Sequence, residues 1–538
     1  MSQTQSMRIL LINPGQLPHA GEDQFSGRMD SVFFRLSPLL QTYFGIPLAL
    51  PTLAGVTPDH HDVIIIDEMV QKIDFAQPCD LVGITAMTSK APRAYQIAAE
   101  FKARGIPVIM GGIHASMCPE EAAQHVDSVV VGEADEIWPS ILEDLARGEL
   151  KALYRPDFPN LENTMPPRHL ATSHSRYFSF LLQTTRGCPR NCNFCTVTAM
   201  NGRRLRKKSP AQVVEEVRQV VALPNPVRPV IVDRDNHNRT RRLAGGAIFF
   251  VDDNFAIDRK HALAVCAALK TFQDEKNVHI NWFTQADIKT GFDDELLAAM
   301  KDAGCMNIFI GFESLSDATL SAMQKQINSP KRYMECIHNI ERHGIEVTAS
   351  VIIGADDDTD TCGDEVTNFA ITNHLFYLFP NIMTPYPGTG VMTHMATANR
   401  LLSENWSEYN IRNVVFRPKQ MSPSRLRQQY VRICTKALNM QRLFETAKVK
   451  CTQPKRFHLT RRWRVAVLFA FTGVTIALGL VGKLTFREVL ICLRRIPWLV
   501  IKNGSLNALG FIVNAIGFGT FARSEAKRLK EFPTDETR

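Results

Sequence analysis

TTRGCPRNCNFC, residues 184–195, places Cys188, Cys192 and Cys195 within eight positions of a 538-residue chain that has twelve cysteines in all. At that frequency a Cys-x3-Cys-x2-Cys run should arise by chance about 0.006 times in the whole chain. The three are therefore a ligand set for a soft metal. Structural zinc takes four closed ligands, usually as two pairs across a loop, and the nearest histidines, His174 and His237, lie at no zinc-finger spacing. An iron–sulfur cube held by three thiolates leaves one iron open to a further ligand. The triplet favours the cube, with zinc as the lesser alternative.

The other nine cysteines are scattered singly, which argues against a disulfide framework and for buried, inert thiols. The N-terminus, MSQTQSMRILLINPG, has no basic region followed by an apolar core and a cleavage site, so a cytoplasmic protein is expected. The length suggests about two to four domains. A hydrophobic content of 45% and a charged content of 22% are ordinary for a globular protein, and the net charge of +8 is modest. That balance argues against a general nucleic-acid binder.

Downstream of the triplet, apolar runs alternate with helical stretches. GAIFFVDDNF (246–255), INWFTQADI (280–288), NIFIGFES (307–314), EVTASVIIG (346–354) and LFYLFPNIMTPYPGT (375–389) each precede or follow a helical segment. With YFSFLLQTTRG before the triplet they make six β/α steps, apolar enough to be buried on both faces. This pattern predicts a parallel sheet closing into a partial barrel, with polar residues at the C-terminal strand ends. A long polar insertion, residues 224–245, precedes the second strand and reads as a disordered loop or a lid.

At these residues the chain resembles the radical S-adenosylmethionine (SAM) enzymes: a strand, then Cys-x3-Cys-x2-Cys, with an aromatic residue (Phe194) before the third cysteine. The resemblance implies that Cys188, Cys192 and Cys195 hold a [4Fe-4S] cluster whose open iron is chelated by SAM. It implies that electron transfer cleaves the sulfonium to a 5′-deoxyadenosyl radical, which the protein aims at one C–H bond. It also assigns site residues at the strand ends. Asp252 and Asp253 in VDDN stand at the SAM amino group, Gln285 ends the third strand, Glu313 in GFES stands at the ribose, and Ser350 in SVIIG at the adenine. Without the resemblance, Asp252, Gln285 and Glu313 read equally well as solvated strand ends.

The N-terminal third has five short apolar runs: MRILLINPG, HDVIIIDE, DLVGITAMTS, IPVIMGGIHAS and DSVVVGEAD, separated by helical stretches such as RAYQIAAEFKARG. They predict a doubly wound α/β sheet of flavodoxin type. The loops GITAMTS, GGIHAS and VVVGEAD resemble the cobalamin-binding domain of class B radical SAM enzymes, with GIPLALPTLAG (45–55) as its first helix. The resemblance implies cobalamin contacts at Thr85, Gly112, His114, Gly132 and Glu133. The Asp-x-His-x-x-Gly motif that supplies a histidine to cobalt is missing, since the first loop reads NPGQLPHAGED and His19 lacks its Asp and Gly. An ordinary nucleotide-binding or structural domain is the blander alternative. A domain like that of the tRNA methylthiotransferases would need three further cysteines, and only Cys79 and Cys118 are present here.

The stretch WSEYNIRNVVFRPKQMSPSRLRQQYVRICTKAL resembles the extension of class B enzymes acting on large apolar molecules, including hopanoid ring methylases and the anaerobic magnesium-protoporphyrin monomethyl ester cyclase. Then come Lys448, Lys450, Lys455, Arg456, Arg461, Arg462 and Arg464 with no acid between them, and uncharged runs at 465–482 and 503–522. Two spans would put the basic segment between them outside, against the positive-inside rule. These residues read either as a helical cap resting on an anionic membrane face or as helices closing the barrel.

The expected architecture is α/β: a flavodoxin-like cobalamin-binding domain (1–150), a linker (151–177), a partial (β/α)6 radical SAM barrel (178–400) and a helical C-terminal region (401–538). The resemblance implies a [4Fe-4S] cluster, SAM and cobalamin as cofactors. It implies methylation of an unactivated carbon on a lipid-like or ring-shaped small molecule, terpenoid or tetrapyrrole. A radical cyclase or oxidative ring-former is the alternative, and a zinc-stabilised nucleic-acid binder the third. The expected partners are an apolar small-molecule substrate and a low-potential electron donor, without nucleic acid. The expected location is cytoplasmic, with peripheral membrane contact.

Overall fold

Val, Ile and Leu fill the short runs on both sides of the cysteine triplet, as strands buried on both faces require. The computed structural model describes residues 6–17, 45–169, 177, 179–223, 232–234, 240–243, 247–450, 484–498, 515 and 521–528. Its first sheet is built from β1 (Arg8–Asn13), β2 (Asp62–Asp67), β3 (Leu81–Thr85), β4 (Val108–Gly111), β5 (Ser128–Val130) and β6 (Leu153–Tyr154). The order is β2-β1-β3-β4-β5-β6, with every neighbour parallel. Alternate residues of β1 face opposite cores. Leu10 and Ile12 pack with Ile97 and Phe101, whereas Ile9 and Leu11 pack with Leu50, Trp138 and Ile141. The strand order reverses at β1 and β3, which opens a crevice at their C-terminal ends. The expected first helix runs over Ala49–Val56. The sixth strand was not expected: its two residues are too few to show a pattern, and they extend this sheet past residue 150.

The second sheet begins with β7 (Ser179–Leu182). Beyond it, β8 (Thr185–Arg186) and β9 (Arg206–Lys207) pair antiparallel on either side of the cysteine loop. The next helix, Pro210–Ala222, starts from a capping box of Ser209 and Gln212 with Pro at its first turn. In the insertion, β10 (Val232–Arg234) and β11 (Thr240–Leu243) pair antiparallel. The main sheet resumes with β12 (Ala247–Phe250), and β11 also pairs in parallel with β13 (Val278–His279). The described part of the insertion is thus paired strands rather than a structureless loop. Then come β14 (Trp282–Ala286), β15 (Cys305–Glu313), β16 (Glu346–Ile353) and β17 (Tyr377–Ile382). The order β7-β12-β14-β15-β16-β17 is parallel throughout, six strands as expected.

The two faces of this sheet differ. Ile248, Phe250, Trp282, Ile308, Ile310, Val347 and Val351 are buried against the surrounding helices. Each such side chain contributes about 1.5–3 kcal/mol. On the inner face, Phe249, Phe283, Phe309 and Tyr377 are only half-buried, and Phe379 is 41% exposed. The barrel therefore carries an aromatic inner wall below a polar rim.

After the barrel, the helix Pro423–Ala437 lays Leu426, Tyr430, Ile433 and Cys434 into the same core. The helix Met440–Lys450 follows. Lys450 is nearly buried between Glu341 and Glu346, the latter 2.7 Å away, and Lys448 pairs with Glu445 at 3.1 Å. Two of the seven basic residues are thus paired with acids of the fold. Lys455, Arg456, Arg461, Arg462, Arg464 and the run 465–482 lie outside the described residues, as does most of 503–522. No described helix is long and apolar enough to cross a membrane.

Candidate active site

The cysteine loop leaves β7 at Gln183 and is pinned at once by the end of β12. Thr184 and Thr185 donate their backbone N–H and hydroxyl groups to Asp252, at 2.6–3.1 Å. Asp252 is fully buried, and burial pushes its carboxyl up while these four donors push it back. Its neighbour Asp253 accepts from Gly187 N at 3.0 Å and from Asn201 at 3.2 Å. Burial likewise raises the Asp253 carboxyl. Gly187 has φ +92°, and a Cβ there would lie 2.4 Å from the Arg204 carbonyl, so only glycine fits the turn. Asp252, expected at the SAM amino group, turns its carboxylate to the cysteine loop. Its oxygens are committed to the loop, with no surface left for a ligand. Asp253 performs the same service one turn further on.

The rest of the loop is held from two sides. Asn193 donates its backbone N–H to Met323 and its side chain to Ala322, while its carbonyl accepts from Val391 N, all at 2.8–3.2 Å. Cys188 N donates to Gly202 O at 3.2 Å. The three thiols are half-buried, and burial raises the pKa of each, that of Cys195 to about 12. They are protonated thiols until metal displaces the protons. Among the described residues only His114, Cys118 and Glu121 bring three such ligand atoms within 4.8 Å of one another.

At the rim, Glu313 has a left-handed backbone (φ 62°) at a bulge in β15. Gly311 makes room for its side chain, since a Cβ there would lie 2.3 Å from Glu313 Oε1. Glu313 pairs with Lys325 at 3.0 Å. Burial alone would lower the Lys325 pKa, yet the Glu313 carboxylate outweighs it and holds the ammonium charged. Lys325 was missed by sequence reasoning, which read only strand ends; it follows the short helix Asp317–Ala322. In register, Ser350 sits beside Gly311 and accepts from Asn381 at 3.1 Å. Gln285 reaches the Asp252 carbonyl at 3.4 Å. Cys192, Lys325, Glu313, Ser350 and Gln285 are thereby gathered on one side of the barrel.

A cleft of about 240 Å³ opens at the switch point of the first sheet. Thr85, Gly112, Gly132 and Glu133 line it together with Leu50, Leu53 and Trp138. A Cβ on Gly112 would meet Thr85 Oγ1 at 2.5 Å, whereas one on Gly132 would point into open space. Backbone and small side chains thus line much of this cleft. Gln183, Arg186, Asn201 and Val251 of the barrel side complete the same wall. Glu133 lines the cleft, yet both its oxygens are held by Arg186 (2.6 Å) and Arg206 (2.9 Å), and Asp135 takes the other side of Arg186 at 2.9 Å. It anchors one domain to the other.

His114 is not part of the cleft wall. It is wholly buried, its Nε2 lies 2.8 Å from the Tyr95 hydroxyl, and Trp406 packs edge-on against its ring. Tyr95 donates to Glu121 at 3.0 Å, and Trp406 Nε1 donates to both oxygens of Glu121 at 2.9 Å. Burial pushes the His114 pKa down, so the ring is neutral. The chain His114–Tyr95–Glu121–Trp406 latches the first domain to the segment after the barrel. His19 lies outside the described residues.

Comparison with known proteins follows the same division. Residues 182–370 match the radical SAM superfamily, and residues 42–142 match the B12 binding domain. Bacteriochlorophyllide d C-8(2)-methyltransferase of Chlorobaculum tepidum is 30% identical over 386 residues, covering 70% of this chain and 82% of that protein. Hopanoid C-2 methylase of Rhodopseudomonas palustris is 26% identical, covering 76% and 73%. The cobalamin-dependent S-adenosylmethionine radical enzyme OxsB, solved with aqua-cobalamin and S-adenosylmethionine bound, matches with a TM-score of 0.58 at 13% identity. That likeness, one of fold, covers 98% of this chain and 81% of that one.

Proposed function

The chain belongs to the cobalamin-dependent radical SAM methyltransferases, and on that premise we propose that it methylates an unactivated carbon of an apolar, ring-shaped small molecule of the tetrapyrrole or terpenoid class. Its cofactors are a [4Fe-4S] cluster, SAM and cobalamin. Bound, they supply a radical able to take a hydrogen atom from an unreactive carbon and a methyl group to replace it. The residues of the chain hold, orient and shield these groups. Cys188, Cys192 and Cys195 are the cluster ligands. Glu313, Lys325, Gln285 and Ser350 line the place of SAM. Thr85, Gly112 and Gly132 cradle the corrin. The aromatic inner wall of Phe249, Phe283, Phe309, Tyr377 and Phe379 seats the apolar substrate and keeps water from the radical.

One observation carries the reading. Asn201 lines the cleft of the first domain and also holds Asp253, which holds Gly187 beside Cys188. Methyl source and radical source thus share one wall. The relatives named above act on a bacteriochlorophyllide and on hopanoids, which supports the substrate class. An enzyme working on such molecules gains from peripheral contact with an anionic membrane in the cytoplasm, through the basic residues beyond Lys450. The test compares a deletion strain with its parent, both fed methyl-deuterated methionine. A lipid or pigment present only in the parent, heavier by one labelled methyl group, is expected. Identical lipid and pigment profiles in the two strains would refute the substrate class.

A further inference from the structure

Each SAM cleaved at the cluster needs one electron from outside, and the surface over the cluster has a distinct charge. We propose that an acidic one-electron carrier protein docks on the turn at Arg203 and Arg204, beside an opening at Cys192; the proposal rests on the radical SAM reading above. Residues 186–208 include seven basic residues and no acid. Five pair with carboxylates. Arg186 and Arg206 pair with Glu133, Arg190 with Asp287, Lys207 with Asp258, and Lys208 with Glu216. Arg203 and Arg204 remain, both exposed and without a carboxylate partner among the described residues. Among the described residues Arg203 donates to the side chain of Asn191.

This turn is coupled to the cluster loop. Gly202, the residue before it, accepts the Cys188 N–H at 3.2 Å, and Asn191 directly precedes Cys192. An opening of about 270 Å³ exposes Cys192 between Arg190, Asn191, Gln324, Lys325 and Gln326, with no carboxylate in its lining. It shares no residue with the cleft of the first domain. A carrier docked here therefore leaves the cleft of the first domain free. Excess positive charge on this rim steers an acidic protein into encounter and favours the more negative, reduced cluster. The lining has no aromatic side chain on which nucleic-acid bases could stack, which favours a protein occupant. In the step itself, one electron leaves the carrier, a flavin hydroquinone or reduced iron–sulfur centre, and enters the oxidised cluster. The carrier is oxidised and the cluster reduced by one electron each, and no bond changes at this surface.

The experiment uses anaerobic holoenzyme with two acidic probes, reduced flavodoxin and a plant-type [2Fe-2S] ferredoxin, and the double variant Arg203→Glu, Arg204→Glu. In stopped flow, cluster bleaching by either probe should slow about tenfold or more in the variant. Added salt should slow the wild type and leave the variant unchanged. Oxidised ferredoxin should bind the variant about tenfold more weakly by interferometry, a readout independent of turnover. Iron content, and SAM cleavage driven by dithionite, should match the wild type. Equal reduction of both proteins by the probes, no binding to the wild type at low salt, or tighter binding of a single-stranded RNA than of either carrier would overturn the docking site. Failure of the wild type to cleave SAM with dithionite would instead overturn the radical SAM reading.

Discussion

Asp252 and Asp253 stand where two carboxylates were expected to greet SAM, and they hold the cysteine loop instead. The sequence displays their position at a strand end but not their direction, because four donors from Thr184 and Thr185 become neighbours only once β7 and β12 pair. Asp252→Ala leaves those donors buried without an acceptor, so it should destabilise the protein by about 3 kcal/mol. Chemical denaturation would measure this, and iron per chain should fall in parallel; unchanged stability with full iron content would return Asp252 to the role of ligand. His114 gives a pH signature. Burial keeps its folded-state pKa below that of the unfolded chain, about 6.5. Below that value the unfolded state binds a proton that the folded state refuses, so stability falls as pH falls through it. Between pH 7.5 and 5.5 the wild type should lose about 1 kcal/mol more than His114→Phe, and equal losses in urea unfolding would show His114 to be protonated in the fold.

At the scale of elements, the strands were legible and their attachments were not. Runs such as AIFF and the alternation in β15 and β16 announce buried parallel strands by composition alone, whereas two-residue β6 has too little pattern to register. The latch between Trp406 and Glu121 joins residues 285 positions apart, so no local signal marks it. Lys325 escaped notice for a similar reason: its meaning comes from the bulge that turns Glu313 toward it. The helix Met440–Lys450 makes the point energetically. Its basic end resembled a membrane anchor, yet Lys450 is an internal ion-pair partner of Glu341 and Glu346. Lys450→Ala leaves two carboxylates facing each other and should cost about 3 kcal/mol. Thermal unfolding would measure it; an unaltered transition together with weaker flotation on anionic liposomes would restore the membrane role.

Across the whole molecule, two parallel sheets meet through a small set of polar contacts: Glu133 and Asp135 with Arg186 and Arg206, and Glu121 with Trp406. These are long-range and charged, so they follow from neither periodicity nor motif, although the two domain types were legible in sequence. They bring the cleft of the first domain against the loop that carries the cysteines. A methylase must use SAM twice, once as radical source and once to restore the methyl group on its carrier. The most direct test is quantitative analysis of the anaerobic, cobalamin-loaded enzyme turning over with SAM, a strong reductant and its substrate. One 5′-deoxyadenosine and one S-adenosylhomocysteine should accumulate for each product molecule heavier by one methylene. Deoxyadenosine accumulating with no S-adenosylhomocysteine, alongside a product that has lost hydrogen and gained no carbon, would contradict the account.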